Sequence, residues 1–170
     1  MSTQLQVFRA KPNPIGKDKT TGGVPKPEQL LGEWVDIKNI GTESVPFSRM
    51  ELSHAIYGSL CEVTGRREAY WTGGGASSLE PGQIIRIHTG QKVHEALMNS
   101  VDRGGVAWWG FAERSNFVLN NQCGDVISIA WHDGRGNRYS DTASYRANQP
   151  EGAILTRVGN ELVSGMSVGR

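Results

Sequence analysis

Four histidines (His54, His88, His94 and His132) and two cysteines (Cys61 and Cys123) are the residues best suited to ligate a metal or carry nucleophilic chemistry. Their spacing builds neither. No histidine pair stands at i, i+4 on a helical pattern and no Cys-x-x-Cys occurs, although His88 could in principle join Cys61 or Asp102 through the fold. Asp36, Glu43, Asp125 and Asp141 could offer oxygens to calcium, but no aspartate-rich loop gathers them. Ser77, Ser115 and Cys123 lack the adjacent histidine or glycine elbow that marks an activated nucleophile. Asp133 beside His132 is accounted for by turn chemistry. The sequence therefore predicts no catalytic residue, no metal and no cofactor, and leaves a metal-dependent hydrolase as the remotest alternative.

Residues suited to binding are more evident. Trp108-Trp109-Gly110-Phe111 lies between Arg103 and Arg114. Adjacent residues of an extended chain point to opposite faces, so at most one of the two indoles readily enters a core. An exposed indole beside an arginine suits a protein partner, a sugar ring or a base; the other reading has both rings covering a satellite core. Arg66-Arg67 next to Tyr70-Trp71 offers a second basic and aromatic group, against a solvated turn beside an edge strand. Arg135 and Arg138, like Arg86, read as outward-facing charges. The candidate binding set is Trp71, Trp108, Trp109, Arg66, Arg67, Arg114 and Arg135.

The elements that must hold these residues read as short strands. Leu5 to Arg9 is the first. Residues 10–31, with Pro12, Pro14, Pro25 and Pro27 and with Lys11, Lys17, Lys19 and Lys26, predict a long solvated loop. In Glu33 to Asn39, Val35 and Ile37 alternate with Asp36 and Lys38, the pattern of a half-buried strand. Val45 to Ser53 follows, its Phe47, Met50 and Leu52 facing the core around a bulge at Ser48-Arg49. Glu68 to Thr72 predicts an edge strand cut off by Gly73-Gly74-Gly75, and Pro81-Gly82 a turn into the strand Gln83 to Thr89. Residues 90–116 lose periodicity apart from one or two helical turns within Val93 to Val101. Phe117 to Leu119 and Asp125 to Trp131 read as strands, and Asp133-Gly134-Arg135-Gly136-Asn137 turns the latter back along Arg138 to Tyr145.

Composition bounds the possibilities. The 170 residues fit one domain, and 18 Lys and Arg nearly cancel 17 Asp and Glu, so no global field draws the chain to nucleic acid or membrane. There are 22 glycines, about twice the usual share of ~7 %. That suits many short strands. No signal-peptide pattern and no apolar run of spanning length is present, which gives a cytoplasmic, soluble expectation. The cysteines, far apart in sequence, are expected to be two reduced, partly buried thiols.

Gly32-Glu33-Trp34-Val35-Asp36-Ile37-Lys38-Asn39 with Val45-Pro46-Phe47 resembles the strand-and-turn signature of the lamin tail domain. Leu79-Glu80-Pro81-Gly82-Gln83-Ile84-Ile85-Arg86-Ile87 is similar to that family's leucine-x-x-glycine turn and following strand. Asn120 to Ile129, with the Asp133 to Asn137 loop and Ser140 to Tyr145, resembles its closing glycine-aspartate strand and hairpin. The similarity runs from Leu5 to Tyr145 and implies a bacterial-type member with an immunoglobulin-like fold and an interaction role. In animal lamins the module contacts proteins and chromatin; in bacterial chains it accompanies hydrolases or surface modules.

The expectation is an all-β, immunoglobulin-like antiparallel sandwich with long loops and at most one or two short helical turns. Residues 1–150 form the domain, with 10–31 a loop and 90–116 an irregular insertion; residues 151–170 form a tail. The expected function is a non-catalytic module binding a protein partner, with nucleic-acid binding through local arginine and aromatic groups as the alternative. A dimer through edge strands stays open.

Overall fold

The computed structural model describes residues 3–16 and 22–164. Lys17 and Lys19 of the predicted loop and the last residues of the predicted tail lie outside them. In chain order the strands are β1 (Leu5–Lys11), β2 (Trp34–Asn39), β3 (Val45–Pro46), β4 (Met50–Tyr57), β5 (Val63–Thr72), β6 (Ser78–Leu79), β7 (Ile84–His88), β8 (Trp108–Phe111), β9 (Asp125–His132), β10 (Arg138–Tyr145), β11 (Leu155–Val158) and β12 (Glu161–Ser164). Two short helices, α1 (Pro27–Gly32) and α2 (Ser100–Arg103), and two 3-10 turns, Phe47–Arg49 and Lys92–Leu97, complete the elements. None of these helices is long and apolar enough to cross a membrane.

The fold is all-β with few helical turns. Ten strands form one sheet in the order β5-β4-β9-β10-β12-β11-β1-β2-β7-β8, and β3 and β6 form a separate ribbon. Neighbours are antiparallel except β10 with β12 and β7 with β8. The sheet curls so that its two halves share one core. Val7, Val35, Ile37, Ile85 and Ile87 of one half join Leu52, Ile127, Ile129, Ala143 and Tyr145 of the other in a single buried cluster. Each such side chain contributes roughly 1.5–3 kcal/mol through burial. The joint between the halves is polar as well as apolar: Arg157 of β11 donates to both carboxylate oxygens of Asp141 on β10, and Asp141 accepts the Val7 amide of β1.

Alternation and turn chemistry explain the most regular part. Along β9, Ile127, Ile129 and Trp131 are buried while Val126, Ser128 and Ala130 are half-buried. The β9–β10 loop closes because the Asp133 carboxylate accepts the Arg135 and Asn137 amides and the Asn137 side chain. Gly134 and Gly136 take φ of 80° and 99°, where a side chain would be strained.

Several expectations need correction. β2 is buried on both faces: Asp36 is as fully covered as Val35 and Ile37, because residues 90–116 fold over its second face. A 3-10 turn, not a bulge, separates Val45–Pro46 from β4. Phe117 to Leu119 form no strand; the Val118 and Leu119 amides donate to the Glu33 carboxylate, not to a strand partner. The predicted loop 10–31 ends in α1, where Pro27 opens the helix and Leu30 and Leu31 bury against the sheet. Residues 155–164 of the predicted tail are β11 and β12, placed between β10 and β1.

Cys61 and Cys123 are joined in a disulfide that spans 62 positions, not separate reduced thiols. Sequence distance carried no warning. The β4–β5 hairpin folds its tip back beside the start of β9, with the two Cα atoms 5.3 Å apart.

Candidate functional site

The insertion is held to the outer face of β1, β2 and β7 by buried charge. Lys11 Nζ on β1 donates to Asp102 Oδ1 at 2.7 Å, and the Trp34 indole N–H donates to the same oxygen at 2.9 Å. Arg86, from β7, donates to both oxygens of Asp36 and also to the Val101 and Gly104 carbonyls around α2. Arg9 reaches Asp36 from the other side at 3.0 Å. Arg86, expected to face solvent, is therefore buried and covers the Trp34 ring, its guanidinium carbon 3.7 Å from the centroid. Buried ions are tolerated only when paired and hydrogen-bonded in this manner.

Fixed by that network, the chain leaves α2 and enters β8, the terminal strand of the sheet. It runs parallel to β7 with Trp108 opposite Ile85 and Trp109 opposite Arg86. Paired residues share a face, so Trp108 lies on the core side and Trp109 on the outer side. Trp108 meets the buried Phe47 edge-on at 5.2 Å and donates to Gln83 Oε1 at 3.2 Å. Trp109 donates to the Arg103 carbonyl at 3.0 Å. Each indole nevertheless remains 37 % exposed. Gly110 lets the edge pack closely: a Cβ there would stand 3.2 Å from Trp71 Nε1 and 3.3 Å from Ile87 Cγ1.

Two grooves flank this edge. One, of about 370 Å³, runs between Phe47 and Trp108 over the Gly73–Gly75 turn and Trp71. The other, of about 490 Å³, is lined by Lys92, Arg103, Val106, Trp109 and Phe111. Among the described residues β8 has no strand on its outer side. The site thus combines an open strand edge, aromatic rings on both faces and flanking concavities.

Of the remaining candidates, Trp71 reaches it from beneath, lining the first groove against Gly110. Trp71 is buried at 8 % exposure and belongs to the core, not the surface. Arg66 is exposed on β5; Arg67 donates to the Val126 carbonyl and Ser53. Arg114 approaches Glu68 at 3.6 Å. Arg135 sits in the β9–β10 loop, beyond His132, whereas Arg67 is held at Val126, six residues earlier on β9 and so roughly 20 Å away at ~3.3 Å per residue. Arg135 thus stands apart from Arg67, while Arg114 reaches β5 through Glu68, the neighbour of Arg67. Among the described residues no group of three or more His, Cys, Asp or Glu is placed to hold a metal ion.

Three titratable groups are buried with partners that the sequence did not reveal, and one of them, Glu33, was not a candidate at all. His54 donates from both ring nitrogens, Nδ1 to Asp125 at 2.9 Å and Nε2 to Glu68 at 3.0 Å. Burial lowers its pKa, but the hydrogen bond and charge of Asp125, followed by those of Glu68, outweigh this and raise it. Neither nitrogen is left to ligate a metal. Glu33 accepts Thr89 Oγ1, Val118 N and Leu119 N on one oxygen, yet burial lifts its pKa to about 7. His88 donates Nδ1–H to the Leu31 carbonyl and stacks on Phe111; burial lowers its pKa to about 4, so the ring is neutral at physiological pH. A polar residue in an otherwise apolar run, such as Glu33 before Trp34-Val35, was the available signal.

No protein-family model matches the chain, and no curated protein matches it significantly.

Proposed function

We propose that this chain is a non-catalytic interaction module, a lamin-tail-like β-sandwich that captures an extended segment of a protein partner along β8. The observation that carries this is the half-exposed pair Trp108 and Trp109 on opposite faces of a sheet edge. Strand addition would supply main-chain hydrogen bonds, and the grooves beside the two indoles would select alternate side chains of the added strand. The motifs from Gly32 to Asn39, from Leu79 to Ile87 and from Asn120 to Tyr145 support the family reading, although fold does not itself carry function. Nucleic-acid binding through Arg66, Arg67, Arg114 and Arg135 is the weaker reading, because Arg135 stands apart and Arg67 and Arg114 are engaged by protein groups. The disulfide argues for an oxidising setting over the cytoplasm, since such bonds are rare where thiols are kept reduced.

Panning a displayed library of extended peptides against the protein tests the proposal. Selected peptides are expected to share large apolar residues at alternating positions, to slow amide exchange along β8, and to lose binding to the Trp108→Ser and Trp109→Ser variants while circular dichroism is unchanged. Peptides that protect β5 instead, or that bind the variants equally well, would overturn it.

A further inference from the structure

Of the 5 tryptophans in the chain, all but one donate their indole N–H: Trp34 to Asp102, Trp108 to Gln83, Trp109 to the Arg103 carbonyl and Trp131 to Thr3. Trp71 is the exception. It is only 8 % exposed, and among the described residues its Nε1 has no acceptor. Buried donors are normally paired, so this orphan calls for an explanation. Its position supplies one. Trp71 lines the groove of about 370 Å³ beside β8, and its Nε1 stands 3.2 Å from the point where a side chain on Gly110 would begin.

The groove lies between the two ends of the curled sheet. β5 and β8 close the strand order, and the fold brings them face to face: Trp71 of β5 reaches Gly110 of β8, and Arg114, just beyond β8, approaches Glu68 of β5 at 3.6 Å. The Gly73–Gly75 turn that follows β5 lines the same groove with Trp108. Rising numbers along β8 thus meet falling numbers along β5, and the two edges run antiparallel. A gap with a strand edge on either side suits an extended segment, whose main chain can pair with such edges, better than a helix, whose main-chain groups are already bonded.

The lining defines what that segment must carry. Phe47, Trp71, Ile85 and Trp108 make the core side of the groove apolar, and Lys92 and Glu113 leave its lining without net charge. A carboxylate placed among these rings would lose water without gaining a matched cation. A purely apolar side chain would shut water away from the Trp71 N–H and leave it unpaired, which is the costly way to lose a hydrogen bond. Main-chain carbonyls of an added strand point towards the neighbouring strands, so the acceptor has to come from a side chain on the core-side face.

We propose that Trp71 sets the specificity of the captured strand: the residue opposite Gly110 carries a neutral oxygen acceptor, a hydroxyl or a carboxamide, that takes the Trp71 N–H. This rests on strand capture along β8 and adds to it one polar position in an otherwise apolar face.

Panning one displayed library of extended peptides in parallel on the parent, on Trp71→Phe and on the Trp108→Ser and Trp109→Ser variants separates the two. Binders of the parent are expected to share Ser, Thr, Asn or Gln at one position, and a binder resynthesised with Val there should lose affinity tenfold or more. On Trp71→Phe the same exchange should change affinity less than twofold. The Trp71 indole N–H resonance, assigned by its absence from that variant, should move downfield when the acceptor peptide binds. Where Trp71→Phe does not fold, 3-benzothienylalanine at position 71 keeps the ring shape and lacks the N–H. Binders that need the β8 indoles yet show no acceptor position, or whose preference survives loss of the N–H, would overturn the proposal and leave strand capture standing. A library without binders, or binders indifferent to both serine variants, would overturn the two together.

Discussion

Asp36 and Arg86 stand opposite each other on β2 and β7, and the guanidinium of Arg86 holds both carboxylate oxygens, at 2.8 and 2.9 Å, with neither residue open to solvent. Because Arg86 also donates to the Val101 and Gly104 carbonyls, this pair is the clamp between the sheet and the insertion that leads to β8. Asp36→Ala leaves a buried, unpaired guanidinium and is expected to destabilise the protein by about 3–5 kcal/mol. Urea denaturation read through tryptophan fluorescence would measure it. Replacement of both residues, by Leu at Asp36 and Met at Arg86, should recover much of that loss, yet should leave amide exchange faster around α2, since the two carbonyls stay without their donor.

The buried Glu33 carboxyl gives the protein a preference for mild acid. Its pKa rises from 4.5 to about 7 on folding, first because burial penalises the charged form. The folded state therefore holds a proton that the unfolded state releases, and stability falls as pH rises between those two values, then levels off. The full effect is on the order of 3 kcal/mol, at ~1.4 kcal/mol per unit. Glu33→Gln keeps an oxygen for Thr89, Val118 and Leu119 and never ionises. It should remove this descent and gain stability relative to the parent at pH 8, as followed by thermal melts across pH.

The strands were legible where one face met water and the other the core, as in β9 and β10, because alternation encodes that situation directly. β2 misled for the complementary reason. Asp36 reads as a solvent-facing residue until its strand partner is known, and only the register with β7 brings it to Arg86. Trp108 and Trp109 were visible as an unusual pair, while their place on the last strand of the sheet depended on a parallel pairing that no local pattern announces. The approach of Trp71 to Gly110 likewise requires the two ends of the sheet to meet. Local chemistry predicts elements; long-range pairing assembles sites.

Loss of the Cys61–Cys123 bond should act mainly on the unfolded chain. Closing a loop of 62 positions removes chain entropy equivalent to about 4 kcal/mol in the simple loop model. The double variant Cys61→Ser, Cys123→Ser is expected to lose stability of that order in equilibrium denaturation. The parent in dithiothreitol should match it, whereas the variant should be indifferent to the reductant. An equal stability of parent and variant in oxidising buffer would remove the bond from any account of how the β4–β5 hairpin is held.

His54 should impose a second pH dependence, in a window that opens at 6.5, above the point where that of Glu33 opens. Its folded pKa is raised above 6.5, because the hydrogen bonds and charges of Asp125 and Glu68 together exceed the opposing effect of burial. A histidine that gains acidic partners on folding stabilises fully below its unfolded pKa, and that contribution disappears as pH climbs through the folded value. His54→Gln should consequently cost most stability below pH 6.5 and progressively less as pH rises above it. Glu33→Gln should leave that upper descent in place, so the two variants separate the groups. Nitrogen-15 chemical shifts of the His54 ring followed across pH give the direct check: the ring should lose its proton at a higher pH than an ordinary histidine does. Loss of the proton at or below the ordinary histidine value would contradict the arrangement of His54 between Asp125 and Glu68.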